Sequence, residues 1–256
     1  MNAASVLTTK KLSLSIADKT ICTDLDLTIN KGECWAILGQ NGAGKTTLLH
    51  TLAGLRSVDS GTISLNNTPM TQLSSRTIAQ QCGLLLQDYQ DIFPATVMEA
   101  VLIGRHPHLS AWHWESDSDK AIAQLALHDV ELANMAQRDI QTLSGGERRR
   151  VGVATILAQQ PDLFLLDEPA NHLDIKHQHQ VLKLFSRKTK DENKTVVMVL
   201  HDVNLATRYC DHVLLMYDDK IELGTAEEML TEEKLSALYG YPIRKIESET
   251  MLFMPR

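Results

Sequence analysis

Nine residues, Gly39-Gln40-Asn41-Gly42-Ala43-Gly44-Lys45-Thr46-Thr47, restrict this chain more than any other stretch of it. Three glycines let the backbone curl until consecutive N–H groups point inward at an anion. Lys45 brings a positive charge to β- and γ-phosphates, and the Thr46 hydroxyl suits Mg²⁺. The flanks agree. Glu33 to Leu38 reads as a buried strand entering the loop, and Thr47 to Leu52 as a helix leaving it. A helix starting there adds its N-terminal partial charge to the same site. The segment predicts a nucleotide site.

A second element completes it. Leu163-Phe164-Leu165-Leu166-Asp167-Glu168-Pro169 is an apolar run ending in two carboxylates, as a strand buried on both faces would be. At the carboxyl end of a parallel strand both side chains can reach the crevice where ligands sit. Asp167 suits Mg²⁺, through water, and Glu168 is then free to polarise a water for in-line attack on a γ-phosphate. Two acids at a strand end could also simply cap the next helix.

Between these elements, Leu143-Ser144-Gly145-Gly146-Glu147 precedes an arginine run, Arg148-Arg149-Arg150. Ser144 with Glu147 three residues on is a capping box. The glycines Gly145 and Gly146 leave N–H groups and a helix dipole open to an anion. Taken alone, this is either a well-capped surface helix or a second anion site. The arginines read as a helix face near phosphate or acidic partners.

The order of these motifs resembles the ATP-binding cassette (ABC) family across nearly the whole chain. Gln87 follows Leu84-Leu85-Leu86, Asn171-His172-Leu173-Asp174 resembles the family's D-loop, and His201, at the end of a strand from Thr195 to Leu200, its switch histidine. The resemblance implies an α/β P-loop NTPase fold with three parts: a mixed-sheet RecA-like core, an antiparallel β subdomain and an inserted α-helical subdomain. It implies one nucleotide-binding domain over 1–256, with its core at about 1–87 and 161–225. The helical part covers about 88–160 and a short tail 226–256.

It implies ATP and Mg²⁺ as ligands, and a head-to-tail homodimer with two ATP between the subunits. Ser144 and Gly146 of one subunit would contact the γ-phosphate held by Lys45 of the other. Gln87 would sense Mg²⁺ and the attacking water, His201 would bond the γ-phosphate, and Asp174 would couple the sites. Phosphoryl transfer needs mostly positioning and charge stabilisation, so such a site is sufficient for hydrolysis.

Composition sets the remaining bounds. The 256 residues suffice for a substantial α/β core, and Leu12 to Ile16 and Leu25 to Ile29 alternate as antiparallel strands do. The tail from Ala226 is too short for an added regulatory domain. A net charge of −7 argues against a sequence-independent grip on nucleic acid. No apolar run approaches the roughly 18 residues of a membrane span, and Met1 to Ser5 do not read as a signal peptide. Cys22, Cys34, Cys82 and Cys210 show no Cys-x-x-Cys spacing and suit a reducing cytoplasm.

Two histidine groups, His172/His177/His179 and His106/His108/His113, lack the ligand spacing of a metal site and are expected to be solvated or at interfaces. The stretch from Gly104 to Trp114, rich in aromatic residues and Arg, reads as a protein-binding surface or a small satellite core. Ile92 to Glu99 and Gly104 to His108 resemble the importer branch that handles iron-siderophore complexes, haem and cobalamin. That branch implies a peripheral subunit on the cytoplasmic face of the membrane, a polytopic permease and, indirectly, a substrate-binding protein. The resemblance also admits another importer cargo, or a soluble ABC ATPase such as one serving iron–sulfur cluster assembly.

The chain departs from the family pattern at three points. Ile16 stands where the family stacks an aromatic ring on adenine, Leu86 replaces a common proline, and Ala170 a common threonine or serine. An aliphatic contact at Ile16 is expected to weaken base selectivity.

Overall fold

The computed structural model describes residues 4–17, 19–87, 94–110, 114–246 and 252–255. It opens with β1 (Ser5–Ile16) and β2 (Lys19–Asn30), antiparallel from Ser5↔Asn30 to Ile16↔Lys19. The alternating runs seen in the sequence are only the ends of these strands. One polar residue of the middle is inside as well: Thr9 is buried, its hydroxyl donating to Leu25 O (2.8 Å) and accepting from Leu27 N (3.0 Å). Next come β3 (Cys34–Gly39), the glycine loop and α1 (Lys45–Leu52). After these, β4 (Ser60–Leu65) pairs with β1, and the short β5 (Thr68–Pro69) with β4.

The chain continues through α2 (Ser75–Gln81), β6 (Cys82–Leu85), α3 (Val97–Leu102), α4 (Asp117–Asp129) and α5 (Gly145–Gln159). It then alternates: β7 (Leu163–Asp167), α6 (Ile175–Glu192), β8 (Thr195–Val199), α7 (Val203–Tyr209), β9 (His212–Met216) and β10 (Ile221–Thr225). The second sheet has the order β10-β9-β3-β8-β7-β6, parallel except for the β10 edge.

Why its strands read as unbroken apolar runs is plain from where successive residues go. Cys34, Ala36 and Leu38 of β3 join one core while Trp35 and Ile37 join the other. Strand β7 divides likewise, Phe164 and Leu166 against Leu163 and Leu165. Period-two side chains with apolar layers on both faces leave no polar positions. One layer is the antiparallel sheet with α1; the other is formed by helices α3 to α7.

Helices α3 and α4 pack on α5. Here Arg105 is buried, with its Nε on Asp119 Oδ1 (2.9 Å) and Nη1 on Ala158 O (2.7 Å). The Ser116 hydroxyl, followed by the Arg105 guanidinium, holds the Asp119 pKa down to about 2. The tail is more structured than its length suggested. Helices α8 (Ala226–Met229) and α9 (Glu232–Tyr239) and a hairpin of β11 (Ile243–Ile246) and β12 (Leu252–Pro255) dock onto the core. Phe253 is buried and its backbone is held on both sides by the Asn204 amide (2.7 and 3.2 Å). No described helix is long and apolar enough to cross a membrane.

Candidate functional site

The glycine loop leaves β3 and turns into α1 at Gly44, whose φ of +99° belongs to the left-handed region. A Cβ at Gly44 would lie 2.5 Å from Ile21 Cδ1, so both conformation and space demand glycine. No side chain caps α1, and its first N–H groups are left for an anion. The buried Lys45 Nζ donates to Gly39 O and Gln40 O, both at 2.9 Å. Burial lowers its pKa, and the carboxylates of Glu168 and Asp167 pull it back up. Gln40, within the loop, donates its amide to Leu238 O (2.8 Å) on α9.

Asp167 ends β7 and is completely buried. Neither carboxylate oxygen completes a hydrogen bond, and His50 Nε2, 3.8 Å away, is likewise unpartnered. Burial raises the Asp167 pKa; the Thr46 hydroxyl beside it and the His50 and Arg149 charges oppose that rise. An orphaned buried carboxylate next to a hydroxyl costs stability unless a cation completes it, so Asp167 and Thr46 fit a hard divalent ion such as Mg²⁺.

Glu168 reaches the cleft by a different route. Its φ of +48° breaks the strand alternation, which would otherwise aim it away from Asp167. Its Oε1 is 2.6 Å from His201 Nε2, and its Oε2 accepts from Asn171 Nδ2 (2.9 Å). A carboxylate fixed at both oxygens has one orientation. Together with Gln87, Lys45, Thr46 and Thr47 it lines a cleft of about 380 Å³, closed on another side by Ile16, Lys19 and Ile21.

Arg149 corrects the reading of the arginine run. It is buried, and its Nη1 donates to Leu86 O and to Gln87 O (3.1 Å). Its Nη2 donates to Asp167 O and to Glu168 O (2.8 Å). Arg150 also turns inward, to Val130 O at 2.8 Å. Arg149 satisfies carbonyls where two strands end and Arg150 a carbonyl where α4 ends, so neither of these two guanidinium groups is turned out as a face for phosphate. The sequence hid this because the carbonyls lie far along the chain.

Ser144, Gly145 and Gly146 are elsewhere. Ser144 caps α5 as expected, with Glu147 Oε2 accepting from Ser144 N (2.7 Å) and Ser144 Oγ accepting from Glu147 N (3.3 Å). A Cβ on Gly145 would meet nothing within 4 Å. None of the three lines the Lys45 cleft. Asp174 caps α6, accepting from His177 N (2.9 Å) and pairing with His177 Nδ1 (2.8 Å). Those bonds explain Asp174 as a cap, whatever else it does.

Two histidines of the candidate groups have ordinary neighbours. His179 Nδ1 is 2.8 Å from the Tyr209 hydroxyl, and His108 Nε2 is 2.8 Å from Gln159 O. His113, Trp112, Ile92 and Phe93 lie outside the described residues. Trp114 is exposed.

A family model described as "ABC transporter" matches residues 22–171. The chain belongs to the ABC transporter family. It is an ABC ATPase with the cassette fold of that family. It is 40% identical over 229 residues to the petrobactin import ATP-binding protein FpuD of Bacillus anthracis, covering 90% of this chain and 84% of that one. It is 36% identical to the iron(3+)-hydroxamate import ATP-binding protein FhuC of Bacillus subtilis (strain 168), over 91% and 87% of the two chains. A solved ABC transporter, assigned to the metal-chelate type and seen in an inward-facing conformation, matches with a TM-score of 0.86. Its identity is 29% over 98% of each chain.

Proposed function

We propose that this ABC chain hydrolyses ATP in a head-to-tail homodimer and drives a polytopic permease that imports a metal chelate, with iron-siderophore complexes as cargo ahead of haem or cobalamin. The observation that carries the dimer is the separation of two anion-ready helix ends. The α1 end, with Lys45, opens into a cleft, whereas the α5 end at Ser144 opens to solvent and contributes nothing to that cleft. A second copy can bring Ser144 and Gly146 to the first copy's γ-phosphate, with Asp174 near the shared boundary. The import reading rests on the likeness to FpuD and FhuC. It places the chain on the cytoplasmic face of a membrane, with a substrate-binding protein as an indirect partner.

Each residue then has a task. The backbone from Gly39 to Thr47 and the Lys45 ammonium hold and neutralise the β- and γ-phosphates. Thr46, Asp167 and Gln87 would hold Mg²⁺, which would neutralise phosphate charge when bound. Glu168, oriented by His201 and Asn171, accepts the proton of the attacking water. His201 can turn from Glu168 toward the γ-phosphate, and Ile16 contacts the base. The reading keeps a core of about 1–87 and 161–225, a helical part of about 88–160 and a tail of 226–256, with α5 against β6: a Cβ on Gly83 of β6 would lie 2.8 Å from Ile156 of α5.

Glu168→Gln tests the reading. Hydrolysis should fall by about 10²-fold or more, and an ATP-bound dimer should accumulate on size exclusion. Wild-type turnover with no dimer would remove Glu168 from the base role and the sandwich with it. Pull-down from solubilised membranes tests the partner: a stoichiometric polytopic protein supports import, and soluble partners alone would point to a cassette serving another process.

A further inference from the structure

Two adjacent carboxylates stand at the end of β7, and the fold treats them differently. Glu168 is fixed at both oxygens, by His201 (2.6 Å) and Asn171 (2.9 Å). Asp167 is fixed through its backbone: its carbonyl accepts from Arg149, and it pairs with Val199 across the sheet. Its side chain is fully buried, yet neither carboxylate oxygen has a hydrogen-bond partner among the described residues. The last torsion of an aspartate is broad, so such a group can turn. A group that ligates Mg²⁺ must not, because that ion demands near-octahedral geometry and its ligands are oriented by the bonds behind them.

The helix opposite holds a donor for this purpose. Thr46 and His50 stand one turn apart on α1, so their side chains share a face. The Thr46 hydroxyl lies beside Asp167, and His50 Nε2 is 3.8 Å from Asp167 Oδ2. That nitrogen is buried and without a partner as well. Unpartnered polar atoms are costly in a protein interior, and these face one another across a gap that closes to hydrogen-bond range with a shift of about 1 Å. An imidazole is itself a poor ligand for a hard ion, which takes oxygen, so any effect of His50 on Mg²⁺ passes through Asp167. Nor does His50 line the nucleotide cleft.

We propose that His50 is a positioning residue for the cation site: its Nε2–H donates to Asp167 Oδ2 and fixes the plane of the carboxylate, leaving Oδ1 for the ion or a water of its shell. The proposal rests on the reading of Asp167 and Thr46 as the Mg²⁺ site and adds the residue that sets how tightly the ion is held.

Calorimetric titration of Mg²⁺ into the stoichiometric complex of the full chain with the β,γ-imido analogue of ATP reads the ion directly. His50→Leu, which has no donor, should raise the Mg²⁺ dissociation constant by about 10- to 100-fold. His50→Gln, whose amide nitrogen can stand near the Nε2 position, should keep most of the affinity. In EDTA the analogue should bind wild type and both variants alike, since His50 is outside the cleft. Wild-type Mg²⁺ affinity in His50→Leu, or equal losses in the Leu and Gln variants, would overturn the proposal, the second outcome by showing that His50 acts through packing alone. Asp167→Asn separates that failure from failure of the cation site. Mg²⁺ binding lost in Asp167→Asn but unaffected in His50→Leu sinks only the positioning role, whereas Mg²⁺ affinity untouched by Asp167→Asn sinks the site and the role of His50 with it.

Discussion

Two helix starts in this molecule are equipped for anions, and they are built in opposite ways. The α1 start has no side-chain cap and a glycine locked against Ile21. A buried lysine is folded over its loop, and a cleft of the same chain lies in front. The α5 start has a complete capping box, an exposed serine and a glycine facing open space. The first is a pocket; the second is a surface. A helix end that already satisfies its own donors through Ser144 and Glu147 is stable without a ligand. An end that leaves them unsatisfied depends on one. The difference is why the proposed function gives nucleotide binding to α1 and contact with a second molecule to α5.

Substitutions can break that comparison at each end. Lys45→Ala should have the largest effect, lowering hydrolysis by about 10²-fold or more while far-UV circular dichroism stays unchanged. Retained turnover would show that the α1 end is not the phosphate site. Arg149→Met should come next, since it strips donors from buried carbonyls of Leu86, Gln87, Asp167 and Glu168. A loss of about 3 kcal/mol in urea unfolding is expected, because buried acceptors left unpaired cost about 1–3 kcal/mol each and partly relax. A loss under about 0.5 kcal/mol would mean these carbonyls find other donors.

Ser144→Ala should cost about 1 kcal/mol of stability through the lost cap. Its sharper reading is functional: nucleotide affinity measured on the monomer should not change, while hydrolysis falls. Weaker monomer binding would place both helix ends in one site. The smallest effect is a slope with pH. Asp119 has its pKa lowered from 3.8 to about 2, so it contributes stability above its unfolded pKa and loses it as pH falls through the folded one. The melting-temperature gap between wild type and Asp119→Asn should therefore be full at neutral pH and shrink between about pH 4 and pH 2. A gap independent of pH would show that the Arg105–Asp119 pair matters only for packing.

The parts of the site that are short in sequence were legible in it. The glycine loop, the Ser144–Glu147 cap and the Asp167–Glu168 strand end are local backbone chemistry, and each appears where its pattern put it. Contacts that close over long separations were not. Arg149 read as part of a helix face near phosphate or acidic partners because nothing in a run of arginines tells which one points inward. His201 on Glu168 spans 33 residues, and in sequence only a family resemblance drew attention to that histidine. Thr9 hid a core position behind a polar side chain, and the strand ends around it looked like the whole strand. The docking of the tail, through buried Leu235, Leu238 and Phe253 and the Asn204 and Gln40 amides, also closes over long separations.

Gln40 carries a consequence for how this protein can be handled or governed. Its amide is tied to the carbonyl of Leu238, so the glycine loop and α9 are linked in position. Anything that tugs α9, whether an affinity tag fused beyond it, a crosslink or a bound regulator, also tugs the glycine loop at Gln40. The helix works as a handle on the glycine loop.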